Sequence, residues 1–466
     1  MLVLGGEAGA TDGRRRGLLN GEGAGSRRRG TGAGAGEERT HGDERRGGNA
    51  GCWRGSVRLR GQVRGRRGQR YCGDELLRRK GSVRSTFRTT TFYGRYIEDD
   101  DGCFIDCNDL GVEFVHAKVD GQIDQLLHRD PDMDLLEYLS QFPNNSVGNP
   151  LVVIQVNTFE CGGIAIGLRS THRISDVCTI AIFINSWATA CRGNVDVTVC
   201  PSFELSSLFP MKVSAVANWP PPRSTGSKEF TVSRFRFSGD AISKLRALAR
   251  DDAKDSMANN FQPSRVEVVS ALISKALVKI DRCGQGEERP IAVYMTFNLR
   301  DKVKLKIPAN SCGNFFSVIS GRSDQPAASK RNPEFNEMVN IIHNIISDAK
   351  TKYATIVNKQ EFCSTVGNSI AEFVKVASSN EVHTIFFSSW CRFGLFEIDF
   401  GWGSPVLVSN ISLNLRSAFL IDDEEGKGID AWTTTTGDEM ILLKQDPDIL
   451  AFTSKLEVER LHEYVI

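Results

Sequence analysis

The chain lacks what a bilayer would require. No run of about eighteen apolar residues occurs in its 466 residues, and the mean hydropathy is -0.25, so no membrane span is expected. Met1-Leu2-Val3-Leu4 stops at Gly5-Gly6, too short for the apolar centre of a signal peptide. No Cys-x-x-Cys pair occurs. The 12 cysteines are scattered, which argues against a structural zinc site and against a disulfide scaffold in so long a chain. Cys103, Cys107 and His116 have no fourth ligand nearby, so no metal is expected. Reduced thiols packed as small apolar residues remain as the simplest reading, and a cytoplasmic location follows as an expectation. Also missing are a Gly-x-Ser-x-Gly elbow, a phosphate-loop signature and a His-Glu-x-x-His helix, which removes the commonest serine-hydrolase, nucleotidase and zinc-protease readings.

What is present is uneven. Residues 1–90 hold 21 Lys and Arg against 9 Asp and Glu, a net of +12, so a chain of net charge +1 leaves -11 for the remainder. The same stretch holds 22 of the 44 glycines. Residues 1–88 have too few apolar groups to offset the entropy of ordering, and disorder is expected there. Arginine clusters such as Arg14-Arg15-Arg16 and Arg27-Arg28-Arg29 neutralise phosphate. Only one Arg-Gly-Gly triplet occurs, at Arg46-Gly47-Gly48, and aromatic interleaving is nearly absent. A solvated tail, or a segment foreign to the mature protein, outweighs a nucleic-acid reading, which has no folded recognition module behind it.

The character changes near residue 92. Residues 89–212 read as a first domain, 213–229 as a proline-rich linker around Trp219-Pro220-Pro221-Pro222, and 230–466 as a second domain. Phe104–Cys107 and Val112–Ala117 read as a hairpin around Asn108-Asp109-Leu110-Gly111. Leu151–Val156 and Cys161–Leu168 read as buried strands. Beyond the linker come a strand at Phe230–Phe237, a helix at Asp240–Arg250, and a capping box at Ser264 and Glu267 opening a helix to Ile280. Ile291–Asn298 is a strand and Pro333–Tyr353 a helix. Strands are expected at 395–399, 404–409, 416–421 and 428–434, with a last helix within 437–455. Irregular alternation with antiparallel neighbours makes this a mixed α/β protein in two similar halves.

Two motifs stand out. Ser170-Thr171-His172-Arg173-Ile174-Ser175-Asp176 follows the apolar strand, and Val177, Ile180, Ala181, Ile184, Ala188 and Cys191 then recur at helical spacing. His172 therefore sits on a strand-to-helix turn, with Asp176 in the first helical turn, where acid suits the helix dipole. A histidine on a rigid turn is a general-base candidate. Among 7 histidines one such pair alone carries little. The second motif is Asp399-Phe400-Gly401-Trp402-Gly403. Its first three residues mimic a kinase metal-binding triplet, but the Gly-rich loop, strand lysine and His-Arg-Asp loop of kinases are absent.

His172-x-x-x-Asp176 followed by Asp399–Gly403 resembles the plant BAHD acyltransferase family. Ser389-Trp390-Cys391-Arg392-Phe393, Asn298-Leu299-Arg300, Asn310-x-x-Gly313-Asn314 and the Pro201–Pro210 stretch are similar to family strings, the last to the vinorine synthase branch. The resemblance covers about residues 90–466. It implies two chloramphenicol-acetyltransferase-like domains with mixed sheets and a channel between them, and a monomer. It implies acyl-CoA as co-substrate, acetyl-CoA by branch similarity, with no bound cofactor, no metal and no covalent acyl-enzyme. The acceptor would be a small-molecule alcohol, a plant specialised metabolite. Carried over, His172 is the general base. Asp176 points away and pairs with an arginine, for which Arg300 is the candidate. Asp399 fixes the glycine turn of Gly401 and Gly403, and Trp402 is an oxyanion donor through its indole N–H, with a backbone N–H or plain packing as alternatives. No residues are assigned to the coenzyme. The sequence departs from the family at its start, where Gly/Arg-rich sequence replaces a first strand, a channel helix and the approach to Tyr93-Gly94-Arg95. An inactive relative with an incomplete first domain is therefore the competing reading.

Overall fold

The computed structural model describes residues 2–4, 94–99, 102–108, 110–127, 136, 138–140, 150–193, 202–205, 230–251, 261–285, 290–305, 307–308, 310–323, 333–379, 382–410 and 415–454. In the first half follow β1 (Leu2–Leu4), β2 (Arg95–Asp99), β3 (Gly102–Asp106), β4 (Glu113–Val119), the one-turn helix α1 (Asp124–Leu127), β5 (Val152–Phe159), β6 (Ile164–Ser170) and α2 (Val177–Cys191). The second half opens with β7 (Phe230–Phe237), α3 (Gly239–Asp251), α4 (Arg265–Gln285), β8 (Ile291–Asn298) and β9 (Phe316–Ser323). It continues with α5 (Phe335–Thr355), α6 (Lys359–Ala377), β10 (His383–Ser389), β11 (Pro405–Val408), β12 (Ser417–Asp422), β13 (Ile429–Thr436), α7 (Gly437–Gln445) and α8 (Pro447–Phe452).

Two mixed sheets carry the chain, ordered β11-β1-β6-β5-β4 and β7-β13-β12-β10-β8-β9, with a separate β2-β3 hairpin. In the larger sheet, side chains alternate between faces as a pleat requires. Ile291, Val293 and Met295 of β8 and Ala418 and Leu420 of β12 pack under α4 and α5. Ala292 and Tyr294 point the other way, onto Phe373 and Val376 of α6. On that same face, Phe419, Ile421 and Trp432 join the core of the first half instead. The halves are thus fused through one apolar layer.

The boundary drawn in the sequence is crossed by the chain itself. Leu395, Ile398, Phe400, Leu407 and Val408 are buried with Ile154, Phe183 and Trp187 of the first half. β11 reaches that half's sheet through β1, where Leu2 lies opposite both Val408 and Ile166. Leu2–Leu4 belong to the stretch expected to be disordered, yet their backbone is extended and paired on both sides. The rest of 1–88 and the linker 213–229 lie outside the described residues.

Three local expectations change. The β3–β4 hairpin does not form. The acidic turn closes β2 onto β3 instead, with Asp99 opposite Gly102, and β4 pairs in parallel with the buried strand β5, placing Ala117 and Val119 in the interior. Residues 395–399 make a single 3-10 turn, Leu395–Glu397, started by Gly394 at φ 64°. Helix α6 is unanticipated. It is capped by Asn358, which accepts from the Gln360 and Glu361 N–H groups, and it packs Phe362, Val366, Ile370, Phe373 and Ala377 against the core, a stripe at helical spacing that the sequence already carries.

Candidate active site

β6 ends at Ser170, and Thr171–Ile174 turn the chain into α2. The turn is closed by the Ser170 and Ser175 hydroxyls at 2.5 Å and by the Ser175 hydroxyl donating to the Thr171 carbonyl at 3.3 Å. His172 is exposed at its crest. Asp176 is the N-cap of α2 rather than a first-turn residue, its Oδ1 accepting from the Thr179 N–H at 2.9 Å and the Thr179 hydroxyl at 2.8 Å. Its carboxylate therefore faces away from the imidazole.

The other Asp176 oxygen is claimed by the second half. Arg300 Nη1 donates to Oδ2 at 2.7 Å, Arg300 Nη2 to Oδ1 at 3.3 Å, and the Phe315 N–H to Oδ2 at 3.1 Å. Both partners of this ion pair are buried, Arg300 5% and Asp176 7% exposed. The remaining guanidinium donors reach the Ser311 carbonyl at 3.1 and 3.0 Å and the Gly313 carbonyl at 3.0 Å. A buried ion pair holds only when its other hydrogen-bonding positions are filled in this way. Arg300 follows the end of β8, so the pair fastens the histidine turn to the edge of the larger sheet.

The loop before β9 completes the seat. Thr179 Oγ1 accepts from the Gly313 N–H at 2.9 Å. Asn314 Nδ2 donates to the His172 carbonyl. The Phe316 ring lies against the imidazole, centroids 5.8 Å apart. Arg173 is drawn to the hairpin, stacked over the Tyr96 ring at 4.3 Å. Asn314 and Phe316 received no role from the sequence. The string Asn310-x-x-Gly313-Asn314 was visible, but nothing in it says which backbone it meets. Cys178 and Cys312 flank the ion pair. Burial pushes the Cys178 thiol up, and pushes that of Cys312 up to about 12, so neither supplies a thiolate near neutral pH.

The second motif is built tightly but elsewhere. Asp399 Oδ1 accepts from the Gly401 N–H at 2.7 Å and the Gly403 N–H at 3.0 Å, and both glycines have positive φ, 104° and 113°, a region open mainly to glycine. Burial alone would raise the Asp399 pKa. The two N–H donors and the Arg192 charge outweigh it and hold the carboxyl below its ordinary value. Arg192, the C-cap of α2, also donates to the Asp399 carbonyl. Phe400 packs edge-on against Trp187 at 4.6 Å, and Trp402 stacks on Phe400 at 5.4 Å. The 15 residues of α2 at about 1.5 Å each separate Asp176 from Arg192 by roughly 22 Å. Trp402 thus sits at the far end of the helix from His172, out of reach of an oxyanion formed there. Among the described residues its indole nitrogen is buried with no hydrogen-bond partner, and plain packing is the reading that fits.

β8, β10 and β12 run parallel, so Asn298, Ser389 and Asp422 end on one edge, the side on which open α/β sheets bind ligands. Along that edge a cavity of about 290 Å³ lies between α2 and the turn after β10, lined by Cys178, Ala181, Ile182, Asn185, Ser186, Thr189, Arg392 and Phe393.

A transferase-family model matches residues 90–450. Acetyl-CoA-benzylalcohol acetyltransferase of Clarkia breweri is 34% identical over 382 residues, covering 79% of this chain and 86% of that protein. Vinorine synthase of Rauvolfia serpentina is 29% identical over 348 residues, covering 73% and 76%. Among solved structures, vinorine synthase superposes with a TM-score of 0.66 at 26% identity over 86% of this chain and 90% of that one. F. sporotrichioides TRI101, complexed with coenzyme A and T-2, superposes with a TM-score of 0.62 at 18% identity over 82% and 91%, a likeness of fold alone.

Proposed function

The chain belongs to the BAHD family of acyl-CoA-dependent acyltransferases of plant specialised metabolism, and on that premise we propose that it moves acetyl from acetyl-CoA to the hydroxyl of a small alcohol, with His172 as general base. An alcohol is a weak nucleophile near neutral pH, so a base within hydrogen-bond reach must take its proton as it attacks the thioester carbonyl. The tetrahedral intermediate collapses with the coenzyme A thiolate leaving, and the proton on His172 passes to that thiolate. The observation that carries this reading is the exposed imidazole on a turn whose backbone is held by the Asp176–Arg300 pair and Asn314. Preorganisation of that kind is what a positioned base needs. The raised Cys178 and Cys312 thiols favour direct transfer over an acyl-cysteine.

Acetyl is favoured because relatives named for acetyl-CoA and for O-acetylation, including stemmadenine O-acetyltransferase of Catharanthus roseus, match at 34% and 29% identity. Benzyl alcohol is the first acceptor to try. The test is turnover of acetyl-CoA and benzyl alcohol by the full chain, with His172→Ala as the control. His172→Ala is expected to lower kcat by about 10²–10⁴ with an unchanged circular dichroism spectrum. Equal turnover in both proteins would end the general-base assignment. A folded wild type that turns over no alcohol would favour the inactive relative.

A further inference from the structure

We propose that Phe316 is a positioning residue for His172: its ring seats the imidazole and stabilises the positive charge that the imidazole takes up with the alcohol's proton. This rests on the reading of His172 as general base.

A base that gains a proton needs something to hold its ring and to meet the new charge. In many such sites a third group, often a carboxylate, does both from the far nitrogen. Here Asp176 is turned away, to Arg300 and the Phe315 N–H. Among the described residues the His172 imidazole makes no hydrogen bond or ion pair, and what it meets is the Phe316 ring, centroids 5.8 Å apart and planes 57° from parallel. That is inside the roughly 6 Å at which a ring quadrupole attracts a cation. Neutral imidazole gains little from this attraction, and imidazolium gains it in full. The contact therefore favours the state reached as the alcohol attacks over the neutral base that precedes it. An interaction stronger in the transition state than before it raises kcat.

Residues 314–317 form a two-sided clamp. Asn314 donates to the His172 carbonyl, and Phe316, two residues on, meets the ring of the same residue. Phe315 and Ser317 face the interior. Phe315 stacks on Phe362 at 5.5 Å, and Ser317, fully buried, accepts from the Tyr353 hydroxyl at 2.6 Å. Alternation of this kind is the pleat of a strand. Phe316 lies opposite Asn298 of β8, whose Oδ1 accepts from the Arg300 N–H at 3.1 Å. The strand that carries the ring is thus registered beside the residue that holds the turn. Phe316 is half-buried and packs onto the cluster of Tyr294, Val318, Phe373 and Phe386, so the ring is backed by the core that α6 covers.

The test uses the full chain with Phe316→Leu, which keeps apolar bulk and removes the π face, and Phe316→Tyr, which keeps the face. Neither touches the interior contacts of Phe315 and Ser317, and circular dichroism checks the fold. With acetyl-CoA and benzyl alcohol, kcat should fall about two- to thirtyfold in Phe316→Leu and stay within about twofold in Phe316→Tyr, with both KM values unmoved. Proton NMR reads the seat without turnover. The His172 Cε1 proton, assigned through His172→Ala, should move in Phe316→Leu as the ring current is lost, and hold its place in Phe316→Tyr. Wild-type kcat in Phe316→Leu would overturn the charge stabilisation. An unmoved His172 signal would overturn the seat whether or not acetyl is transferred. A wild type that transfers no acetyl yet shows the ring-current shift would keep the seat and remove the reaction.

Discussion

Asp176→Asn separates two roles that the motif alone leaves joined. The substitution keeps the helix cap, since asparagine caps as well as aspartate, and it keeps the size of the side chain. It removes the charge. Oδ2 takes two donors, Arg300 Nη1 at 2.7 Å and the Phe315 N–H at 3.1 Å. Oδ1 takes three, the Thr179 N–H and hydroxyl and Arg300 Nη2. An amide can present its oxygen to only one of these sets, so its NH2 must face donors on the other side. Arg300, 5% exposed, then keeps a buried charge without its counter-ion. Breaking one side of a buried pair costs about 3–5 kcal/mol, a large share of a typical stability of about 5–15 kcal/mol. The assay is urea unfolding followed by circular dichroism, alongside kcat. The variant should unfold at clearly lower urea, and Asp176→Asn combined with Arg300→Gln should lose less than the sum of the two single variants, because the second substitution removes the charge that the first leaves unpaired. A catalytic Asp–His pair would behave differently, with kcat falling by about 10⁴ in an unweakened protein. Unchanged stability with that loss of rate, or a double variant as unstable as the sum of the singles, would refute the reasoning.

Two further outcomes follow from the same geometry. Trp402→Phe should leave kcat within about twofold of wild type, where loss of an oxyanion donor would cost about 10²–10³; steady-state kinetics with acetyl-CoA decides it. Glu439 of α7 has its pKa lowered to about 2: burial opposes the shift, and the Arg416 guanidinium with Thr435 and Thr436 outweighs it. A depressed carboxyl adds stability that is complete above its unfolded value of 4.5 and lost as pH falls toward 2. Stability should therefore rise with pH across that window by about 3 kcal/mol, and Glu439→Gln should flatten the rise in urea midpoints measured from pH 2.5 to 5.

Local elements with a strong period were legible before any coordinates. β7 and β8 fall on the residues expected, and α4 opens on its capping box, the Glu267 N–H donating to Ser264 Oγ at 3.2 Å. α6 was legible too, since Phe362, Val366, Ile370, Phe373 and Ala377 recur at helical spacing behind the Asn358 cap. The β3–β4 hairpin was not. A Gly-containing turn names a reversal, but the competing turn at Asp99–Gly102 and the long apolar edge of β5 decided which strands paired.

Composition, apolar patterning and two short motifs were enough to set the mixed α/β class, the family and the turn that carries His172, because these depend on neighbours within a few residues. Contacts between distant residues were another matter. Arg300 was named for Asp176 by the family resemblance alone, and that it and Asn314 grip the turn across 124 and 142 residues depends on where the larger sheet ends its parallel strands. That Trp402 lies a helix-length away from His172 depends on α2, which carries one motif at each end and keeps them apart. Side-chain chemistry is written residue by residue, but distance between residues far apart in the chain exists only once the sheets have packed.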